Sequence, residues 1–597
     1  MPVYRAPVEN VLFLLQDVLG FERYAHLPGF EDASPDMVAA ILEEGGRICE
    51  DVLLPLNMSG DREGCQRAPD GSVIAPKGFK AAYDAFAQGG WIGLAGPTEY
   101  GGQGLPYTLA AVINEFVTSA NMAFSLYPGL TRGAQAALIE HANDEQKALY
   151  LPKLISGEWA GTMNLTEPHC GTDLGLIKSR AVRKDDGSFA ITGQKIFISA
   201  GEHDLTSNII HLVLARIEGA PAGTKGISLF IVPKYLPDAQ GNAGARNGVS
   251  CGSIEHKMGI HGNATCVMNY DDATGWLVGE ENRGLNAMFV MMNEARLGVA
   301  VQGLSMSEIA YQNAVAYARE RLQGRALTGA KEKDKAADPI IVHPDVRRML
   351  LEIRAFNEPA RALILWAALQ SDIAHRSPDA HERMEADDAL SLLIPVLKGV
   401  LTDVGFDNTV KAQQVFGGHG YVGEWGMEQY VRDARIAMIY EGANGIQALD
   451  LVGRKLPKDN GRAVMAWFKQ VGQAIKDAEG DAELTPFASG LKSGFDHLQK
   501  ATMWLMQNAL AKPDNAGAGS NDYMHLFGLV ALGHMWLAIA KAALARKHAD
   551  ASQAAEMDAK LIAGRFYMER IMPEAAARYA RIATGAETIM AMPAEAF

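Results

Sequence analysis

The chain has 597 residues, a length that allows three or four domains of ordinary size. Apolar residues make up 48% and charged residues 21% of the sequence, which is the composition of a soluble globular protein. The formal net charge of -15 disfavours non-specific binding to nucleic acid or to an anionic membrane over the chain as a whole.

The start of the chain and its cysteines favour a reducing compartment. The first residues, MPVYRAPVENVLFLLQDVL, lack the pattern of a signal peptide, because the apolar run is short and acids flank it at Glu9 and Asp17. The five cysteines form no C-x-x-C pair or zinc-ligand cluster, so we expect inert thiols, a cytoplasmic protein and no metal site. The longest uncharged run, residues 523–540, includes two histidines and two glycines, which favours a buried helix over a membrane span.

Residues 1–158 are predicted to form an N-terminal helical domain. Apolar residues recur at three- and four-residue spacing in DMVAAILEEGGRICEDVLLPLN and in TLAAVINEFVTSANMAFSLYPG. Asp144 is predicted to be the N-cap of a further helix, and Gly157 follows the end of that helix.

Residues 159–284 are predicted to form a small antiparallel β domain. The segments SFAITGQKIFISA, SNIIHLVLARI and KGISLFIVPK are short, β-branched and partly alternating, and turn clusters such as DDG and GEHD separate them. They are too short and too close for helical crossovers, so we expect a barrel or a sandwich. Gln194 and Lys195 are predicted to lie at a hairpin, and Phe197 and Ser199 on one strand face.

After residue 284 the helical spacing returns. Residues 285–455 are predicted to form a helical bundle, interrupted by an exposed loop at ALTGAKEKDKAADPIIVH. Residues 456–597, rich in alanine, methionine and aromatic residues, are predicted to form a separate helical extension. The predicted fold class is therefore α+β, mostly α, with the order helical, β, helical, helical.

The segment NLTEPHCGTDLGLIKSRA, residues 164–181, is the first candidate ligand site. It offers the hydroxyl of Thr166 and loop N–H groups to a polar planar ligand. In the following strand, Phe197 could stack on a ring while the Ser199 hydroxyl bonds its edge. The same pattern also fits an ordinary hairpin core.

The segment QQVFGGHGYVGEWGMEQYVRDARIAMIYEGANGIQALDL, residues 413–451, is the second candidate site. Gly418-x-Gly420-x-x-Gly423 matches the spelling of the dinucleotide fingerprint. However, the preceding segment is predicted to be helical and no βαβ unit surrounds it, which excludes that interpretation. The glycines instead predict the end of a helix and the close approach of another backbone or of a diphosphate.

Glu441 follows the apolar run at 436–440 and precedes Gly442. A carboxylate at the end of an apolar segment is a candidate for a raised pKa and for work as a general base. A solvated cap is the alternative for a glutamate before a glycine.

Six ordered blocks of sequence resemble those of the acyl-CoA dehydrogenases: TEPHCGTD, GQKIFIS, ARLGVAVQGL, ARERLQGR, QVFGGHGY and RDARIAMIYEG. The start of the chain and its C-terminal helical extension resemble the long bacterial subgroup of that family. The resemblance implies FAD-dependent dehydrogenation of an acyl-CoA thioester to a trans-2-enoyl-CoA.

The same resemblance implies a set of FAD contacts. Those in the β domain are implied for Met163, Asn164, Leu165, Thr166, Gly171, Thr172, Phe197 and Ser199. Contacts from a neighbouring subunit, to the diphosphate and the ADP half, are implied for Arg321, Gln414, Gly417 and Gly418. Shared sites of this kind imply at least a dimer.

The resemblance also implies that Glu441 is the catalytic base. Substrate contacts are implied for Arg296, Thr172, Tyr440 and Gly442. Some relatives carry the base on an earlier helix, where this chain has Ala295 beside Glu294. Ala443 and Gly445 replace the threonine and glutamine of the family, which puts any adenine or diphosphate contact from those side chains in doubt.

By the subgroup resemblance, the expected substrate is 3-methylmercaptopropionyl-CoA, with a general short- or medium-chain acyl-CoA as the alternative. The expected electron acceptor is an electron-transfer flavoprotein, and the expected assembly is a homodimer without nucleic acid or membrane partners. An acyl-CoA oxidase and a DNA-associated flavoprotein of the same fold are less favoured. Residues 461–597 contain 14 Lys+Arg and 14 Asp+Glu, whereas a DNA-binding extension should be basic.

Overall fold

The structure, a computed structural model, describes residues 2–597 of the chain. Two compact units are formed. The first, here called the barrel unit, is Ile41–Gly298. The second, here called the helical unit, is Val299–Phe597 together with the N-terminal residues up to Ala40. The predicted mostly helical α+β fold with one small β region is confirmed.

Seven helices precede the main sheet: α1 Val8–Phe13, α2 Pro35–Ile48, α3 Pro55–Glu63, α4 Phe79–Gln88, α5 Tyr107–Ala120, α6 Met122–His141 and α7 Asp144–Ser156. The N-cap of α7 is Asn143, one residue before the predicted Asp144. Asn143 and Gln146 form a reciprocal capping box, and Gly157 ends the helix in the left-handed conformation. The amide oxygen of Asn143 accepts from the N3 N–H, which places the cap one residue earlier than predicted.

The strands are β1 Gln66–Arg67, β2 Val73–Ile74, β3 Trp159–Asn164, β4 Arg180–Arg183, β5 Phe189–Ser199, β6 Asn208–Ile217, β7 Ile227–Pro233, β8 Tyr235–Pro237, β9 Ala243–Arg246, β10 Val249–Ile254 and β11 Thr265–Val278. The pairings β11–β5–β4–β6–β7–β11 close a ring of five strands, which β3 and β10 extend. The prediction of a purely antiparallel domain was wrong in one respect, because β3 and β4 both pair with β6 in parallel. The absence of crossover helices does not exclude parallel pairing, because a chain that passes around a small barrel can bring two parallel strands together without a helix.

Both faces of the central strands are buried, which explains their continuous apolar runs. Alternate residues of β6, such as Val213 and Ala215, belong to one apolar core inside the strand ring. Their neighbours Ile210, Leu212 and Leu214 belong to a second core, which α6 and α7 complete.

Strand β5 is irregular near Gln194 and Lys195, where the sequence predicts a hairpin. Gln194 and Lys195 lie within the strand and pair with β11, so their predicted position at a turn was wrong. Between Lys195 and Ile198, two residues of β5 face only Val267 of β11, which is a β-bulge. The bulge places Phe197 at φ +59°.

The helices after the sheet are α8 Gly284–Glu320, α9 Pro344–Arg376, α10 Ala380–Val415, α11 Gly418–Tyr421, α12 Met427–Arg435, α13 Asn444–Asp450, α14 Arg462–Ala478, α15 Thr485–Asn508, α16 Pro513–Ala549, α17 Ala554–Phe566, α18 Glu574–Ala583 and α19 Glu587–Ala591. The predicted loop between α8 and α9 contains a short 3-10 turn at Ile340–Val342.

The C-terminal extension belongs to the helical unit. Trp536 of α16 donates its indole N–H to the carbonyl of Ala355 in α9 at 2.8 Å. Lys560 of α17 forms a buried ion pair with Glu358 at 3.1 Å. The middle of α16 is apolar on all sides, so it must pack against other helices, and α9, α10 and α13 cover it.

Two helices in the described residues, α10 and α16, are long and apolar enough to cross a membrane. Their most apolar windows are 67% and 78% buried, as in the core helices of a globular unit. The cysteines are all free thiols, and four of the five are buried.

Candidate active site

The loop after β3 holds an unpaired hydroxyl beside strand β5. Thr166 accepts a hydrogen bond at its carbonyl from Ile196 N at 2.9 Å, which fixes the loop against β5. Across residues 2–597, the N–H and the hydroxyl of Thr166 have no hydrogen-bond partner. The structure thus leaves two polar groups of Thr166 available to a ligand, as the sequence predicted for a polar planar partner.

A buried ion pair between strand β5 and this loop fixes the loop in place. Lys195, which is 0% exposed, donates to the carbonyl of Leu165 at 2.9 Å and to the Glu167 carboxylate at 2.8 Å. Glu167 also accepts from the N–H groups of Lys178 and Ser179. Burial acts to raise the pKa of Glu167, but Lys195 and these hydrogen bonds outweigh it and hold the pKa below its usual value.

Phe197 and Ser199 lie on the outer side of β5, next to this loop. The Phe197 side chain is 61% exposed although its neighbour Ile198 is buried. A bulky aromatic residue at φ +59° is unusual, and such outliers concentrate at functional sites. The exposed ring and the Ser199 hydroxyl are suited to a flat ligand with polar edges.

The other predicted contacts of the barrel unit have different environments. Met163 is half-buried at the end of β3, while Gly171 and Thr172 are exposed in the following loop. A side chain added at Gly171 would meet no atom within 4 Å. Arg296 of α8 is only 7% exposed, and its guanidinium donates to the Asn293 side chain at 3.4 Å.

The helical unit brings the predicted diphosphate residues together at one end of α8 and α10. The rings of Tyr317 in α8 and Phe416 after α10 stack with centroids 4.2 Å apart. Arg321, four residues beyond Tyr317, and Gln414 are both exposed. Gly417 and Gly418 are also exposed, and Gly417 has φ +57°.

An anion would find a charged donor and open backbone at this end. The guanidinium of Arg321 makes no hydrogen bond or ion pair with any residue from 2 to 597. A Cβ atom at Gly417 or Gly418 would meet nothing within 4 Å. Arginine with accessible main-chain groups is a common combination for binding phosphate groups.

Glu441 lies in a sharp turn between the 3-10 turn Ile436–Met438 and α13. Its backbone is left-handed, with φ +57°, and Gly442 follows at φ +88°. Glu441 is half-buried, whereas a solvated helix cap would be exposed. Holding a glutamate in this conformation costs about 1–3 kcal/mol, which the surrounding structure must supply.

Two buried side chains hold the turn from the inside. Lys398 of α10 is 0% exposed and donates to the carbonyl of Gly442 at 2.9 Å. Gln447 of α13, also 0% exposed, donates to the same oxygen at 3.1 Å. The residue before the turn is fixed as well, because the Tyr440 hydroxyl donates to Gln302. Burial, together with the nearby charge of Glu441, raises the pKa of Tyr440.

The sequence interpretation did not assign roles to Lys398 and Gln447. A signal for Lys398 was present, since it is the single charge within the apolar run LLIPVLKGVL. A lone lysine on the buried part of a helix must be paired or hydrogen-bonded. Which groups it meets depends on the packing of α10 against α13, and spacing does not reveal that.

Three metal-ligating residue types come close together at the first loop. Glu167, His169 and Cys170 bring ligand atoms within 4.8 Å of one another. Glu167 is already neutralised by Lys195, and a cation would have to compete with that ammonium group. We therefore assign no metal site to this cluster.

Comparison with protein families gives four matches in chain order. They are described as the acyl-CoA dehydrogenase N-terminal domain at residues 70–158, the middle domain at 162–273, the C-terminal domain at 282–456, and an acetyl-CoA dehydrogenase C-terminal-like domain at 467–593. Together the matched segments include the β region, the turn at Glu441 and the C-terminal extension.

Individual relatives match over almost the whole chain. A 3-methylmercaptopropionyl-CoA dehydrogenase from Ruegeria pomeroyi is 41% identical over 98% of this chain and 99% of its own length. A broad-specificity linear acyl-CoA dehydrogenase, FadE5, from Mycobacterium tuberculosis is 33% identical over 96% of both. A crystal structure of an acyl-CoA dehydrogenase complexed with FAD from Bacillus anthracis has the same fold, with a TM-score of 0.70 and 21% identity over 85% of this chain and 82% of that one. The chain belongs to the acyl-CoA dehydrogenase family, whose members are FAD-dependent oxidoreductases.

Proposed function

We propose that the chain converts an acyl-CoA thioester to its trans-2-enoyl-CoA, with Glu441 as the base that removes the α-proton. The observation that carries this proposal is the left-handed turn that holds the half-buried Glu441 carboxylate. A solvated cap has no need of a strained backbone fixed by two fully buried side chains. A general base does, since its oxygen must stay within reach of one carbon–hydrogen bond.

The chemistry sets two requirements for the residues around the base. The α-carbon of a thioester is a weak acid, so the base must be sheltered from water to be effective. The thioester oxygen gains negative charge as the proton leaves, so a hydrogen-bond donor must face it. We assign the second role to the backbone N–H of Glu441, and substrate contacts to Tyr440, Gly442, Thr172 and Arg296.

The residues present fit FAD as the cofactor. Thr166 presents an unpaired hydroxyl and N–H beside the exposed ring of Phe197 and the hydroxyl of Ser199. We assign these residues, with Met163, Leu165, Gly171 and Thr172, to the flavin half. Arg321, Gln414, Gly417 and Gly418 offer an unpaired cation and open backbone, and we assign them to the diphosphate and ADP half. When bound, FAD accepts the hydride that leaves the β-carbon.

The substrate we propose is 3-methylmercaptopropionyl-CoA. A relative named for that substrate is 41% identical over nearly the full length of both chains. A general short- or medium-chain substrate is the second candidate, because a relative described as having broad specificity also matches the whole chain. We further propose a cytoplasmic homodimer that passes its electrons to an electron-transfer flavoprotein. An oxidase would instead reduce oxygen, and peroxide formation in air distinguishes the two.

The base assignment is tested by replacing Glu441 with glutamine. We expect Glu441→Gln to retain FAD and to bind acyl-CoA, but to reduce its flavin about 10²–10⁴-fold more slowly, because the amide cannot accept the proton. Stopped-flow bleaching of the flavin under anaerobic conditions measures this rate. Glu294→Gln is the matched control, since Glu294 lies beside the position where some relatives carry the base. A normal rate in Glu441→Gln together with a slow rate in Glu294→Gln would reassign the base.

The substrate is tested with the wild-type protein. Anaerobic bleaching titrations across acyl-CoA chain lengths, with the thioether substrate included, give a rate and a half-saturation value for each compound. We expect the highest ratio of the two for 3-methylmercaptopropionyl-CoA. An equal or higher ratio for butyryl-CoA or octanoyl-CoA would favour the general enzyme.

A further inference from the structure

A continuous series of hydrogen bonds links the turn at Glu441 to the C-terminal extension. His525 of α16 contacts the Asp403 carboxylate in α10 at 2.8 Å. The other oxygen of Asp403 accepts from the amide of Asn444 at 2.7 Å. The Asn444 carbonyl oxygen accepts from Lys398 at 2.7 Å, and Lys398 donates to Gly442.

The members of this series are buried where they approach the turn. Lys398 is fully buried, and Asn444 is 7% exposed. Asn444 also donates to the carbonyl of Gly399 at 3.1 Å and to the hydroxyl of Thr402 at 2.9 Å. Its amide is therefore saturated by α10, and its orientation leaves its oxygen facing Lys398. At the outer end, the side chains of His525 and Asp403 are 12% and 21% exposed.

We propose that His525, Asp403 and Lys398 are positioning residues for proton removal, which makes the C-terminal extension part of the catalytic apparatus. This inference rests on the proposed role of Glu441. Lys398 and Gln447 fix the carbonyl of Gly442, and with it the two consecutive left-handed residues that aim the carboxylate. His525 orients Asp403, Asp403 orients Asn444, and Asn444 holds the ammonium of Lys398 against the turn.

A displaced turn would affect one step more than the others. The series ends on the carbonyl of Gly442, the residue after the base, so its loss should shift the Glu441 carboxylate while every residue assigned to FAD or to substrate remains present. A displacement of about 1 Å at a reacting group costs on the order of 10²-fold in rate. Binding of FAD and of acyl-CoA should change little.

The test measures proton removal without the redox step. Methylthioacetyl-CoA has α-hydrogens but a sulfur at its β position, so it can lose an α-proton and cannot be dehydrogenated. Exchange of its α-protons in D₂O, followed by NMR with the FAD-loaded enzyme, reports on the base alone. We expect exchange in His525→Leu to be about 10–100-fold slower than in the wild type, with FAD content and the Kd for methylthioacetyl-CoA unchanged. His525→Gln, which restores a donor to Asp403, should recover most of the rate.

Tyr523→Phe is the matched control on the same helix. It removes a buried 2.8 Å hydrogen bond to Thr502 inside the extension, two residues from His525, without touching the series. Its exchange rate should equal that of the wild type. Equal slowing in Tyr523→Phe and His525→Leu, or a wild-type rate in His525→Leu, would overturn the proposal. If His525→Leu does not fold, Asp403→Ala carries the same expectation.

The two proposals fail in different ways. Glu441→Gln should show no exchange above the background of the free thioester. If it exchanges normally, the base assignment fails, whatever the His525 variants do. If Glu441→Gln is inactive and the His525 and Asp403 variants exchange at the wild-type rate, only the positioning role fails.

Discussion

Two loops of this molecule, one in each unit, share two features: a nearby residue with positive φ and a buried lysine that binds a loop carbonyl. In the barrel unit, the loop at Leu165 and Thr166 lies beside Phe197, whose φ is +59°. In the helical unit, the turn carries Glu441 at φ +57°. Each loop is fixed by a fully buried lysine that donates to one of its carbonyls at 2.9 Å.

The two lysines connect their loops to different side chains. Lys195 contacts the Glu167 carboxylate directly, at 2.8 Å. Lys398 donates to the oxygens of Gly442 and Asn444, and the Asn444 amide donates to Asp403. The ion pair of Lys195 with Glu167 involves only the loop after β3 and the neighbouring strand β5. The series through Lys398 conveys the position of a distant helix to the turn. The proposed roles, a cofactor contact at Thr166 and a base at Glu441, place these different demands on the backbone.

The largest effect should come from breaking the ion pair between Lys195 and Glu167. In Lys195→Met, Glu167 keeps its buried position and two N–H donors but loses its ammonium partner. We expect the free energy of unfolding of the barrel unit to fall by about 3–5 kcal/mol, because an unpaired buried charge remains. Urea denaturation followed by amide hydrogen exchange of β5 and β6 peptides measures this. FAD should also be lost on dialysis.

A double variant separates the charge from the packing. Lys195→Met with Glu167→Gln removes both charges, so part of the stability should return. If the double variant is no more stable than the single one, the Glu167–Lys195 pair contributes by shape and not by charge, and the comparison of the two lysines loses its basis.

The sequence predicted the elements of these loops better than their geometry. Periodicity located the helix at 284 and the strands around Phe197, since both depend on local apolar spacing. The bulge at Phe197 was missed because it depends on how β5 meets Val267 of β11. The family blocks pointed to Thr166 and Glu441, which the structure holds in separately fixed loops.

The residues that support the turn at Glu441 were harder to predict than Glu441 itself. Asp403 and His525 are 122 positions apart, and no periodicity connects them. The extension was predicted to be separate because its composition, rich in alanine, methionine and aromatic residues, sets it apart from the helices before it. The apolar character of α16 on all sides was the available signal that other helices must cover it.

The stability of the barrel unit and that of the C-terminal extension should also differ in their dependence on pH. His203 and His211 of the barrel unit are fully buried, and burial, with the nearby Lys234, lowers the pKa of each to about 3. In the extension, burial lowers the pKa of His534 to about 4. Because the unfolded histidines bind protons below about pH 6.5 and the folded ones do not, stability falls as the pH drops from 6.5 towards 3.

The expected slope is about 1.4 kcal/mol per histidine for each pH unit, so it is about twice as steep for the barrel unit as for the extension. Hydrogen exchange of β6 and α16 peptides, corrected for the intrinsic pH dependence, gives both slopes. His203→Asn keeps an acceptor for the N–H of Leu205 and removes one titrating group, so the barrel slope should drop by about half. An unchanged slope in this variant would mean that the histidines are protonated in the folded barrel.

The smallest effect should be a gain in stability at the turn that carries Glu441. Glycine adopts positive φ at little steric cost, so Glu441→Gly should raise the free energy of unfolding of the helical unit by about 1 kcal/mol while abolishing flavin bleaching. Glu294→Gly, the same exchange inside α8, should lower stability by about 1 kcal/mol and provides the matched control. Urea titrations of the two variants measure the difference in sign. If Glu441→Gly is destabilised as much as Glu294→Gly, the contacts of the carboxylate outweigh its backbone strain, and the turn would hold a structural glutamate. If it is stabilised and inactive, the fold sacrifices stability at this position to keep a base there.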